Sequence, residues 1–158
     1  LTIAIAPTKN MNRFEGFVEK AVEMGVDRIV PLICERSERR ILNIKRLEKI
    51  ALSATKQSMK GTLTKITNIT NFRTFCATTN SNMLIAHCEQ DNQKTMLTEQ
   101  LSKELATTIL IGPEGDFSPN EIALAKQAGA KSIHLGSSRL RTETAGLVAV
   151  ATVYQHLG

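Results

Sequence analysis

Apolar positions along the chain follow two alternating rhythms. Short runs at residues 2–6 (TIAIA), 28–33 (RIVPLI), 83–87 (MLIAH), 108–111 (TILI) and 132–135 are nearly continuous in aliphatic residues. That is the pattern of strands buried on both faces. Longer segments between them carry apolar residues three and four apart. Residues 10–24 set Met11, Phe14, Val18, Ala21 and Val22 near helical spacing. Residues 44–59 turn Leu47, Ile50, Ala51 and Ala54 inward and Lys45, Arg46, Lys49 and Lys56 outward. Both read as amphipathic helices. Helices are also predicted over 96–105, 118–128 and 143–157, and residues 63–69 alternate weakly as a further strand. Strands that alternate with helices predict an α/β fold, a mostly parallel sheet with helices on both faces.

One joint occurs twice. Residues 21–29 (AVEMGVDRI) and 125–133 (AKQAGAKSI) share their Ala, Gly and Ile positions. A glycine just past a helix end and ahead of a buried strand is recurrent βαβ punctuation, so this is not read as a duplication.

Composition narrows the class. A chain of 158 residues fits one domain, and 42% hydrophobic with 22% charged residues is ordinary for a soluble globular protein. No apolar run approaches the ~20 residues that span a bilayer. The first residues lack the basic flank of a signal peptide. The chain opens at Leu1 as a strand with no initiator Met, so a preceding piece is expected. Cys34, Cys76 and Cys88 are odd in number and scattered. No metal-ligand spacing links them, so reduced thiols in a cytoplasmic protein and no metal site are expected. A net charge of +5 and a pI of about 9.3 favour an anionic partner, nucleic acid first.

Two corners carry the candidate chemistry. Ser118, Pro119 and Glu121 form a helix start, with Ser118 as N-cap, Pro119 at N1 and Glu121 closing a capping box. Residues 112–117 (GPEGDF) must therefore cross from strand to helix, where open parallel sheets collect ligands. Gly112 and Gly115 allow close backbone approach. The spacing is neither GxGxxG nor GxxxxGK[ST], which disfavours a dinucleotide or P-loop site. The second corner, residues 135–144 (LGSSRLRTET), packs Arg139, Arg141 and Glu143 together after another strand. It leads into AGLVAVATV, apolar nearly all round, which needs covering by core or by a partner subunit.

These corners resemble a known signature. IGPEGDFSPNEI and then HLGSSRLRTETA are similar to the paired motifs of the bacterial 16S ribosomal RNA uridine-N3 methyltransferase family, of the SPOUT superfamily. EKAVEMGVDRIVPLICERS and KQSMKG occupy the family's other characteristic positions, so the resemblance covers essentially the whole chain. Departures fall at Asp116, where the family usually has a second glycine, at Lys56, usually an acid, and at Met59-Lys60, usually Gly-Arg.

The resemblance implies a SPOUT α/β-knot over residues 1–158, with a C-terminal deep trefoil knot, and without the PUA-like N-terminal RNA-binding domain of family members. Chain threading is rare enough that sequence patterns alone would not propose it. It implies S-adenosylmethionine as cofactor, held by Ile111, Gly112, Gly115, Leu135, Gly136, Leu140, Arg141 and Thr142. It implies a homodimer that methylates N3 of a uridine in 16S rRNA, within the small ribosomal subunit. Arg141 then holds the uracil or a neighbouring phosphate, and Glu143 or Glu114 accepts the N3 proton. Arg36, Arg39, Arg40, Lys56 and Lys60 are the expected RNA contacts, in a run that also includes Lys45 and Arg46. For that run a solvated charged face is the alternative. His87 reads as core or pocket wall. Rival functions are a SPOUT enzyme acting on tRNA or a ribose 2′-hydroxyl, and a catalytically idle RNA-binding assembly factor.

Overall fold

The computed structural model describes residues 1–158. Eight parallel strands form the centre: β1 (Thr2–Ile5), β2 (Arg28–Ile33), β3 (Lys65–Ile66), β4 (Thr70–Asn71), β5 (Asn82–Ala86), β6 (Thr95–Met96), β7 (Thr107–Ile111) and β8 (Lys131–His134). They lie in the order β3-β2-β1-β7-β5-β8-β6, with β4 alongside β2. The helices are α1 (Met11–Glu23), α2 (Ile44–Gln57), α3 (Phe72–Thr78), α4 (Pro119–Gln127) and α5 (Thr142–Leu157).

Strand alternation divides the core in two. Ile3, Ile5, Ile29, Leu84, Ile109 and Ile133 pack under α1, α2 and α5. Ala4, Val30, Leu32, Met83, Ile85 and Leu110 pack against α3 and α4. No helix is long and apolar enough to cross a membrane.

β8 sits between β5 and β6, although both precede it in the chain. The chain reaches β8 from α4 on one face and leaves it for α5 on the other.

The repeated joint is the same backbone device at both sites. Gly25 (φ 91°) and Gly129 (φ 98°) are left-handed. Val26 N–H donates to the Ala21 carbonyl and Gly25 N–H to Val22, and Ala130 and Gly129 repeat this with Ala125 and Lys126. Both are Schellman closures. α2 ends the same way, but with Met59 at φ 56° in the glycine position.

Two expectations need correction, and one helix went unforeseen. Residues 96–105 are not a helix: β6 leads into one 3-10 turn, Leu97–Gln100, and the rest is irregular. Only Leu97 is buried there, and the Gln100 carbonyl is taken by the Asn82 side chain rather than by a helical N–H. Residues 63–69 contribute a strand only at Lys65–Ile66, with a second two-residue strand at Thr70–Asn71. α3 was not predicted. Its Phe72, Phe75 and Cys76 have helical spacing, but seven residues are too few for periodicity to stand out.

Candidate active site

Both corners lie at the carboxyl ends of the strands and face one cleft of about 1100 Å³. In the first corner, after β7, Gly112 is buried, and a Cβ there would come within 3.0 Å of the Phe117 amide nitrogen. Only glycine lets the chain fold back so tightly. Asp116 occupies the left-handed region at φ 68°. Its carboxylate accepts the Phe117 N–H at 2.8 Å and the Cys88 N–H at 2.9 Å, which ties this corner to the segment after β5. Glu114 accepts the Lys9 N–H at 2.8 Å. Ser118 and Glu121 form the expected capping box, and the second Glu121 oxygen accepts the Glu35 N–H at 3.0 Å.

The second corner runs from Leu135 to Arg141, with Gly136 at φ 126°. The buried Thr142 hydroxyl donates to the Gly112 carbonyl at 2.9 Å, a direct bond between the corners. Arg141 is the N-cap of α5 yet makes no side-chain cap.

Of the residues singled out from sequence, Ile111, Gly112, Glu114, Leu135, Gly136, Leu140, Arg141, Thr142 and Glu143 line this cleft. Gly115 does not. It sits against Arg36, whose guanidinium donates to the Gly115 carbonyl at 2.9 Å.

The basic run divides in two. Arg36, Arg39 and Arg40 brace the loops around the cleft, with Arg39 donating to the Lys9 carbonyl at 2.8 Å and Arg40 to Cys34 at 3.3 Å. Arg46 pairs with Glu15. Lys56 and Lys60 lie at the far end of α2, where the Lys60 ammonium approaches Gly25 at the amino-terminal edge of the sheet. They are not brought to the cleft.

His87 is a buried part of the cleft wall. Its Nε2 lies 3.0 Å from the Ser132 hydroxyl and 3.8 Å from Asp91. Burial lowers its pKa below the usual imidazole value, and the nearby Lys94 ammonium adds to this. Asp91 is held well below the carboxylate range, chiefly by the Lys126 ammonium and then by the Gln93 N–H. The buried Cys34 thiol is pushed far up by desolvation. The same effect raises Cys76 to about 11.

Sequence reasoning missed the opposite wall: Thr8, Lys9, Asn10 and Arg13 all line the cleft. One signal was available. Arg13 stands in the first turn of α1, which holds no acid, and the helix dipole disfavours a cation there.

A model of the RNA methyltransferase domain matches residues 1–154. The chain belongs to this family. Among its relatives, the ribosomal RNA small subunit methyltransferase E of Rickettsia conorii is 35% identical over 97% of this chain and 63% of its own length. The protein of that name from Mesomycoplasma hyopneumoniae is 31% identical over 93% of this chain and 65% of its own. The chain thus spans somewhat under two thirds of these curated relatives. A ribosomal RNA small subunit methyltransferase E from Neisseria gonorrhoeae, solved with S-adenosyl methionine bound, superposes with a TM-score of 0.85 at 30% identity, covering 98% of this chain and 65% of that one. A crystal structure described as a probable rRNA-methyltransferase from Porphyromonas gingivalis gives 0.93 at 44% identity, covering 98% and 66%.

Proposed function

We propose that this domain transfers a methyl group from S-adenosylmethionine to N3 of a uridine in 16S rRNA. The observation that carries the reading is the meeting of the two corners in one cleft, tied by the Thr142–Gly112 bond. The cleft fits such a cofactor. Its volume is ample beside the ~300–1,000 Å³ of common small-molecule sites. Backbone is bare at Gly136, where an adenine can be held by amides and carbonyls, and Gly112 lines the same cleft. Ile111, Leu135 and Leu140 supply apolar walls. Thr142 fixes one corner against the other, and Gly115 keeps its turn compact against Arg36.

When bound, the cofactor supplies a methyl group already activated on a sulfonium sulfur. The chain must then orient the acceptor and remove its proton. Uracil N3 carries a proton at neutral pH, so a base is required, and a well-placed one contributes ~10²–10⁴-fold. Arg141 presents planar donors, bound to no other side chain, for the uracil oxygens or the adjoining phosphate. Glu143 accepts the N3 proton. Its carboxylate is free of partners, whereas Glu114 is tethered to the Lys9 amide and positions that loop.

Three further features belong to the same reading. Residues 1–158 form a SPOUT-type unit whose carboxyl-terminal segment is knotted; the position of β8 between β5 and β6, with α4 and α5 on opposite faces, supports the threading. The unit works as a homodimer in the cytoplasm on small-subunit rRNA, the outer face of α5 meeting its partner. Val148 and Ala151 are partly exposed and Tyr154 is exposed on that face.

The test incubates the chain with radiolabelled S-adenosylmethionine and unmodified 16S rRNA, then maps the product nucleosides by mass. 3-Methyluridine is expected. Label on ribose, or in tRNA alone, would move the assignment to a sibling SPOUT activity. Absence of cofactor binding in calorimetry would sink the enzymatic reading. Arg141→Ala should lower turnover by at least ~10²-fold with an unchanged circular dichroism spectrum.

A further inference from the structure

The cleft holds more positive charge than a methyl donor can use. Five basic side chains and three carboxylates line it. S-adenosylmethionine is itself cationic overall, because its ammonium and carboxylate cancel and the sulfonium remains. Three of the five cations, Arg13, Arg139 and Arg141, make no ion pair and no side-chain hydrogen bond within the chain. A single cofactor carboxylate does not account for three free guanidiniums, and the cleft volume leaves room for a second ligand. Arg139 and Arg141 come from the corner before α5, and Arg13 stands on α1, the helix packed beside it. The acceptor strand must therefore enter between a wall built by residues 135–143 and a wall built by residues 8–13.

Resting on the RNA-methylating reading above, we infer that Arg13 grips a backbone phosphodiester of the RNA beside the target nucleotide, across the cleft from Arg141. The loop that leads into its helix is held for the task. Arg39 donates to the carbonyl of Lys9, and Glu114 of the first corner accepts the amide of Lys9. The Asn10 side chain accepts the Arg13 N–H at 3.2 Å, which fixes the first turn of α1. This bracing sets the guanidinium against a rigid backbone, so the residue contributes to recognition without reading base identity.

The experiment compares wild type, Arg13→Ala and Arg13→Lys on in vitro transcribed 16S rRNA. RNA affinity is measured across a salt series, with S-adenosylmethionine affinity measured by calorimetry. Arg13→Ala should weaken RNA binding roughly tenfold and flatten the log K against log salt slope by about 0.7–0.9, one phosphate contact. KM for RNA should rise more than kcat falls, and Arg13→Lys should restore the slope. Cofactor affinity should not change. An unchanged slope in Arg13→Ala, or a loss of cofactor affinity matching the loss of RNA affinity, overturns the assignment. Wild-type chain that binds RNA but transfers no methyl group would refute the enzymatic reading alone and leave the slope comparison valid. Wild-type chain that binds no RNA would overturn both.

Discussion

Met59 shows how one residue can work against its own backbone. It holds the left-handed position that closes α2, where α1 and α4 use glycine. A side chain in that region is unfavourable by about 1–2 kcal/mol. Met59 is 91% exposed, so burial returns nothing. Met59→Gly should therefore stabilise the chain by about 0.5–1 kcal/mol, after glycine's larger unfolded-state freedom is subtracted. The urea midpoint should rise at constant slope; a midpoint that falls would contradict this account. At this scale the sequence was informative where side chain and backbone agree. Ser118 to Glu121 announced its cap plainly, and Gly25 and Gly129 announced their turns. It was indirect where they disagree: the letters at Met59 and Asp116 do not reveal a positive φ by themselves, and only the glycines that the resembled family carries there point to it.

Among the elements, α5 joins the core to the cleft. It presents Gly146, Ala149, Val150 and Val153 inward, against Phe17 of α1 and Ile5 of β1. A Cβ on Gly146 would lie 2.7 Å from the Phe17 ring and 2.9 Å from Ile5. Gly146→Ala should destabilise by about 1–3 kcal/mol through overpacking, which outweighs the ~1 kcal/mol that alanine gains as a helix former. A calorimetric melt that moves upward would show the contact to be softer than this. Long periodic segments were legible, and so were the strands buried on both faces. Residues 96–105 misled because Leu97 and Leu101 happen to fall four apart while the chain only bridges the sheet edge to β7. The wall formed by Thr8 to Arg13 was hidden for another reason. Its residues are ordinary polar types, and only the sheet order places them opposite the second corner.

For the whole molecule, the perturbed groups set a pH window. His87 and Asp91 have lowered values in the fold, so the unfolded chain binds protons first. Their contributions are present above the unfolded values, 6.5 and 3.8, and are lost as pH falls. Cys34 and Cys76 are raised, so their contributions are present below the unfolded thiol value of 9.0 and are lost as pH rises. Stability should be greatest between roughly 6.5 and 9. Denaturant titrations at pH 5, 7 and 10 check this, and a chain more stable at 5 than at 7 would refute it. Assembly is tested at the same scale. The chain should sediment as a dimer at micromolar concentration, and Ala151→Glu should shift it to monomer while leaving the thermal melt cooperative. Sequence pointed to this face through an apolar helix with too little core to cover it, but could not say which side stayed open.

The placement of β8 also dictates an order of events during synthesis. Until residues 131–134 arrive, β5 has a bare edge and β6 has no neighbour. Neither gap can close before that segment has been made. The cleft is thus completed only once residues 131–143 have emerged, and a nascent chain stalled before them would expose an unpaired strand edge. Late closure of this kind should make refolding slow, with a final phase that tracks the docking of β8 between β5 and β6 rather than growth of any helix.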